Sequence, residues 1–504
     1  MHHRRLCAAA ALSSLVLGVT ACSAGHTAVV KVTDSPGLTL ASTSPAGSLD
    51  FTTTGGAAIP AALMDNVYET LVTVDPDSGE LIPRLAREWS TDSTGKIYTF
   101  NLQPGVTFSN GDTFDAHTAA FSIEYARDSW TNGIAKQLAV VESARAVDDL
   151  TVEVRLAAPS QSWLWAMTTA VGAMMTPSAI ADLATHPVGT GPFVVSDFSP
   201  AEFISLTPNP HYWAAPAAQP VTIQYFPDAI SSLNALQAGS VDSVWAVQAP
   251  ELLSTLPQQF SQEIGTTNGE VLLSMNNSSP LFSDVRVRQA VAFGVDREAL
   301  NQVMWDGLGR DTGGAPYAPT DPWFKDTNYY PYDVNKAKQL LADANMLGAR
   351  LTLTTPTIPY AQTAAELLYS QLREIGFDVH LESAEFPAVW LSQVMGAQDY
   401  DMSLIAHVEP RDIPQLFGNP HYYLRYDSPR TRQLLAAADA AATEEEFTAT
   451  MSAAVDDIMA NAGALTLMNM PNIVVTRPGV VGLEPTMVTD AIALRGIRDV
   501  DANV

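Results

Sequence analysis

The segment Ala406-His407-Val408-Glu409-Pro410-Arg411-Asp412 brings an imidazole, two carboxylates and a guanidinium close together in the chain. Arg411, set between two acids, can neutralise them or bind a ligand carboxylate through two parallel N–H···O bonds. The plainer alternative is a solvated ion network of Glu409, Arg411 and Asp412. His407 reads first as a packed histidine and second as a metal ligand. Downstream, Asn419-Pro420-His421-Tyr422-Tyr423 and Arg425-Tyr426 are dense in aromatics and bases, and either wall a pocket or pack at a turn. Patterns that would mark an enzyme are missing: the sequence has no HExxH helix, no GxSxG elbow, no phosphate loop and no GxGxxG turn. It offers acids but no evident triad, so catalysis is not expected and no cofactor is implied.

The elements around this segment must hold it in place. Tyr400 to Ile405 reads as a strand leading into it. Two units before it show helices feeding strands. Asp333 caps a helix with Ala337, Leu340, Leu341 and Ala344 on one face, and Leu351 and Leu353 alternate after Gly348. Ala365, Leu368 and Leu372 share a second helical face, Gly376 supplies a left-handed stop, and Phe377, Val379 and Leu381 alternate. Thr443 to Glu446 fits a capping box before another amphipathic helix. The first half differs in character. Short strands and turns fill Val67 to Phe108, Asp115 is placed to cap a helix over Phe114 to Ala126, and Gly189-Thr190-Gly191-Pro192 reads as a strand-entry turn because Pro192 lacks a backbone donor. Trp89, Phe100, Phe108, Trp305 and Trp390 read as core. The expected class is α/β with mixed sheets.

Composition narrows the partners. The net charge of −28 repels nucleic-acid phosphates and anionic headgroups, so neither is an expected partner. The two cysteines are Cys7 and Cys22. Met1 to Arg5 are basic, Leu6 to Val19 are apolar, and Val19-Thr20-Ala21-Cys22 resembles a lipobox, so residues 1–21 read as a lipoprotein signal peptide and Cys22 as the lipidated first residue. Cleavage there removes Arg4 and Arg5 and no acid, taking the charge from −28 to −30. It would leave no cysteine for disulfide or thiol chemistry. Residues 22–37 read as a flexible tether. The expected location is the extracytoplasmic face of the cell membrane, held there by lipid on Cys22.

Tyr68-Glu69-x-Leu71-Val72, Pro83-x-Leu85-Ala86-x-x-Trp89, Tyr98-Thr99-Phe100, Pro187-Val188-Gly189-Thr190-Gly191-Pro192-Phe193, Asn209-x-x-Tyr212-Trp213, Ala235-Leu236-x-x-Gly239-x-Val241-Asp242 and Asp284-Val285-Arg286-Val287-Arg288-Gln289-Ala290 follow one another in order. Together they resemble family 5 extracellular solute-binding proteins, which serve ABC importers of oligopeptides and dipeptides. The resemblance covers nearly the whole mature chain. It implies a periplasmic-binding-protein-like fold of two lobes joined by a hinge with an extra inserted domain. Domain I would comprise 38–69, 187–272 and 478–504, domain II 70–186 and domain III 273–477, with crossings near Leu273 to Asn277 and Ile473 to Arg477. It implies a monomer that captures a short peptide between domains I and III and delivers it to ABC permease subunits. It also implies an acid on domain III that holds the ligand's amino terminus, here Glu409 or Asp412. His407 stands near the position where the family commonly has Trp, which opens the alternatives of a metal chelate, haem or opine-like ligand, or a sensory lipoprotein that transports nothing. Further cleft candidates are Ala406, Val408, Asp50, Gly55, Trp245 after the Val241-Asp242 motif, and Asn276 at a crossing.

Overall fold

Residues 37–76 and 78–501 are described by the computed structural model. The leader and Cys22 lie outside the described residues, and among those described no helix is long and apolar enough to cross a membrane. Ten strands hydrogen-bond into one mixed sheet, in the spatial order Asp378–Ala384, Arg350–Pro356, Met402–His407, Ser261–Met275, Leu465–Thr476, Ser243–Val244, Leu38–Ser42, Val221–Tyr225, Phe203–Pro208 and Phe193–Ser199. A second sheet has four antiparallel strands, Ala86–Thr91, Ile97–Leu102, Thr151–Leu156 and Val141–Asp148.

Local rules account for the elements. Tyr98, Phe100 and Leu102 alternate inward along Ile97–Leu102, and the helix Ala116–Ser129 rests on the same sheet. Asp115 begins that helix with a full capping box, its carboxylate accepting from the Thr118 amide while the Thr118 hydroxyl accepts from the Asp115 amide. The helix Val334–Asp343 starts at Asp333, and Pro359–Ile375 stops at Gly376 with φ of 118°. The strand after Gly376 sits at the sheet's edge, which explains why Leu381, expected to face inward, is exposed. The Thr443–Glu446 box is half made: Thr443 accepts from the Glu446 amide, but the Glu446 carboxylate turns to the Ala442 amide.

Two continuous apolar clusters form the interior. One joins the first strand, the four-stranded sheet and the C-terminal segment to Leu494 and Ile497. The other joins the helices and strands after Val271 and also takes in Leu233 to Phe260. The motif residues tie the first cluster together. Glu69 is fully buried, accepts from the Thr190 hydroxyl at 3.0 Å, the Tyr212 hydroxyl at 2.9 Å and the Trp213 indole at 2.8 Å, and pairs with Arg84 Nε at 2.9 Å. Residues from four of the motif segments therefore meet on one carboxylate, Arg84 among them at a position the motif leaves open.

The strands Ser261–Met275 and Leu465–Thr476 run antiparallel and pack in the second cluster, with Val474 reaching the first. Their register breaks where Thr266 opposes Pro471 and the next pair is Glu270 with Asn469, so Thr267, Asn268 and Gly269 loop out against Met470. The Asn469 side chain clips the loop by donating to the carbonyls of Thr267 and Gly269, both at 2.9 Å. This break precedes the Leu273–Asn277 segment in the chain and faces a point just before Ile473.

Candidate functional site

The strand Met402–His407 pairs with Ser261–Met275 so that His407 lies directly beside Glu270. Its continuation builds an acidic wall. His407 is 5% exposed; its Nε2 is 2.8 Å from the Tyr423 hydroxyl and its Nδ1 is 3.5 Å from Asp412 Oδ2. Tyr423 is fully buried, and its ring stacks on the imidazole at a centroid distance of 5.8 Å. Burial pulls the His407 pKa down to about 4, against the charge of Glu409, so the imidazole is neutral. Burial, then the charges of Asp412, Asp321 and Glu409, raise Glu270 well above the ordinary carboxylate range. Asp412 is raised in the same way by burial, Glu409 and Asp321. Glu270 is 3% exposed and its Oε1 has no hydrogen-bond partner among the described residues. One ligand atom each from His407, Glu409 and Asp412 lie within 4.8 Å of one another, a set able to hold a cation.

Arg411 pairs with Asp321 at 3.4 Å rather than with the acids beside it in sequence. Its guanidinium lies 4.6 Å from the Trp165 ring centroid and 4.9 Å from that of Trp323, and it donates to the Gly79 carbonyl at 3.3 Å. Burial lowers its pKa to about 10, with Asp321 opposing, and burial raises Asp321 to about 6 against the pull of Arg411. Arg411 holds a left-handed backbone with φ of 55°. Its side chain is committed to bridging segments far apart in sequence. Two further contacts repeat that bridge. Asp439 Oδ1 accepts from the Ser160 hydroxyl at 2.9 Å and the Ser162 amide at 2.8 Å. Gly79, with φ of 71°, lies so close to Thr320 that an added Cβ would come within 2.3 Å of its carbonyl oxygen.

A cavity of about 190 Å³ touches the segment Ala406 to Asp412 at Val408 alone, and His407, Glu409, Arg411, Asp412 and Tyr423 are not among its lining residues. Trp245 and Val408 line it, as do Thr267, Asn268, Gly269 and Met470 at the register break. Three of its lining groups were not among the cleft candidates of the sequence. Trp305, read as core, is 3% exposed but stands on the cavity wall with its indole N–H unpartnered among the described residues. Asn472 is fully buried, donates to the Pro485 carbonyl at 2.8 Å and leaves its Oδ1 unpartnered. Asp490 lines the cavity from the C-terminal segment, and burial, then Glu409, raise it to about 7. The signal for Asp490 was present in the sequence as a lone acid within Met487 to Leu494.

The remaining candidates take structural positions. Asp50 Oδ1 accepts from the Thr52 amide and hydroxyl at 2.9 and 2.6 Å, closing a turn. Gly55 faces open space apart from Asn132. Asn276 donates to the carbonyls of Gln398 and Tyr400. The Ala406 amide donates to the Tyr360 hydroxyl at 2.8 Å. Arg425 has φ of 53°, its amide donating to the Tyr422 carbonyl at 2.9 Å. None of these five is among the residues lining the cavity.

The buried acids set a pH dependence. Each titrates higher in the folded chain than in the unfolded one, so its stabilisation is complete below its unfolded pKa and is lost as pH rises through about 6 for Asp321 and about 7 for Asp490. His407 acts in the opposite sense, contributing above its unfolded value of 6.5 and losing that contribution as pH falls toward about 4. Asp321, Asp490, Glu270 and Asp412 outweigh one histidine. The unliganded protein is therefore expected to unfold at a higher temperature at about pH 5 than at about pH 7.5. A melting series showing the reverse order would count against this charge distribution.

The model for bacterial extracellular solute-binding proteins, family 5 middle, matches residues 80–443. The chain is 26% identical over 360 residues to a nickel-binding periplasmic protein of Escherichia coli, covering 65% of this chain and 67% of that one. It is 25% identical over 330 residues to a glutathione-binding protein of Pectobacterium atrosepticum, covering 63% of each, so the chain spans about 63% of that relative's length. Among solved structures, a substrate-binding protein of Listeria monocytogenes superposes with a TM-score of 0.81 at 19% identity, covering 93% of this chain and all of the other. A peptide-bound periplasmic binding protein of Helicobacter pylori gives 0.75 at 23% identity, covering 91% and 97%. These superpositions establish the periplasmic-binding-protein-like fold expected from the motifs. With the matched region running through most of the chain, the protein belongs to the family 5 bacterial extracellular solute-binding proteins.

Proposed function

We propose that this protein is a non-catalytic capture component of an ABC import system, which takes a small solute bearing a positive charge and presents it to membrane permease subunits. The amino terminus of a short peptide is the first case. The observation that carries the reading is the cavity lined by Asp490, on which the charge of Glu409 acts, with unpartnered polar atoms on the buried lining residues Trp305 and Asn472. Buried polar groups without partners are uncommon in finished interiors, and a ligand supplies what they lack. A volume of about 190 Å³ restricts the solute to a small one, since pockets for drug-sized ligands run from about 300 to 1,000 Å³. Contacts to both walls would favour the closed arrangement by population shift, the form a permease recognises. The protein acts as a monomer outside the cytoplasmic membrane, tethered by lipid on Cys22.

A second reading is a metal chelate, supported by the proximity of ligand atoms on His407, Glu409 and Asp412. Native mass spectrometry of the gently purified chain separates the two. A retained organic cation, lost in Asp412→Asn or Glu409→Gln, supports capture through the acids. A retained metal complex lost in His407→Ala favours the chelate. A protein that is always empty, and that neither peptides nor metal chelates stabilise against heat, overturns capture.

A further inference from the structure

The cavity's lining is as informative for what it lacks as for what it holds. Its residues include no lysine, arginine or histidine. Its carboxylate is Asp490, and no cation stands on the lining to balance it. Three aromatic residues, Trp245, Trp305 and Tyr225, share the wall with Asp490, and the aliphatic and thioether groups of Val408, Met470 and Met487 complete the apolar surface. After burial, the charge of Glu409 also raises Asp490, a like-charge repulsion. Arg411, the base closest in sequence to the acidic wall, is already engaged by Asp321 and two tryptophans.

We propose that this cavity takes a small organic cation, an amine or quaternary ammonium without a free carboxylate, with Asp490 as its counter-ion and Trp245, Trp305 and Tyr225 as its aromatic walls. The inference rests on the capture reading and narrows its ligand class. An organic cation answers each feature together. Its charge relieves the repulsion between Asp490 and Glu409, and a desolvated cation beside aromatic faces is held by the negative face of each ring. An amine N–H can also be accepted by Asn472 Oδ1, whose amide nitrogen is already occupied by Pro485. A zwitterionic peptide brings a carboxylate that finds no base on this lining, and burying an unpaired charge is costly.

Calorimetric titration of the full chain with choline, agmatine, Ala-Ala amide and Ala-Ala tests this directly. The expected result is that at least one of the first three binds and that Ala-Ala amide binds at least tenfold more tightly than Ala-Ala. Asp490→Asn, which preserves shape, should weaken the cation at least tenfold while leaving the melting temperature of the unliganded protein unchanged or raised. Trp245→Phe should weaken it less than Asp490→Asn. Equal or tighter binding of Ala-Ala, or an Asp490→Asn variant with unaltered affinity, overturns the proposal and leaves capture intact. Binding of none of the four overturns the cation class; if native mass spectrometry also finds the protein empty, the capture reading falls with it.

Discussion

Replacing Arg411 with alanine is expected to cost about 3–5 kcal/mol of stability, the range for stripping one partner from a buried ion pair. The Asp321 side chain is 7% exposed and that of Arg411 16%, so the carboxylate left behind has little access to water. The guanidinium also fills the gap between the Trp165 and Trp323 rings, and its loss opens a void there. Arg411→Lys should recover little, because a lysine neither stacks as a plane nor reaches Asp321 and the Gly79 carbonyl together. Arg411→Met combined with Asp321→Leu should recover most of the loss, since replacing both members by apolar groups removes the stranded charge. Urea denaturation of the four proteins checks the series; a single-variant loss below about 1 kcal/mol would mean the pair behaves like an exposed one.

Glu69→Ala is expected to be at least as damaging, because four groups lose one acceptor at once: the hydroxyls of Thr190 and Tyr212, the Trp213 indole and the Arg84 guanidinium. Leaving buried donors unpaired costs about 1–3 kcal/mol each before relaxation, so the folded yield itself should fall. Glu69→Gln keeps an acceptor oxygen and should sit between alanine and the parent. Near-ultraviolet circular dichroism reports the environment of the aromatic groups that Glu69 holds; an unchanged spectrum with an unchanged denaturation midpoint in Glu69→Ala would show that these contacts contribute little.

Much of the fold was legible because its signals are local. Asp115, Asp333 and Gly376 mark helix ends through hydrogen bonds or backbone angles that depend on a few neighbours. The motif segments were legible as an ordered set, but there was no sign in the sequence that Glu69, Thr190 and Trp213, far apart in the chain, meet on one buried carboxylate, or that Arg84, which no motif names, joins them. The site was less legible. Arg411 stands between two acids in sequence, and its engagement with Trp165, Trp323 and Asp321 depends on tertiary contacts that no spacing rule encodes. Trp305 ends an amphipathic helix and so reads as core, although the face it buries is the wall of a cavity. Asp490 lies in a segment without regular structure, where periodicity gives no direction.

The register break carries a mechanical meaning. The ten-stranded sheet is a continuous beam passing through both apolar clusters, with a notch where Thr267 to Gly269 loop out against Met470. On the capture reading, a change of angle between the two halves is expected where the paired strands depart from a regular ladder, at this notch and at the second register shift between Val271 and Leu272. Thr267, Asn268, Gly269 and Met470 are themselves cavity walls. The notch and the sensor are then the same residues, and a solute biases the angle between the halves by direct touch, with no relay of side chains to carry the message.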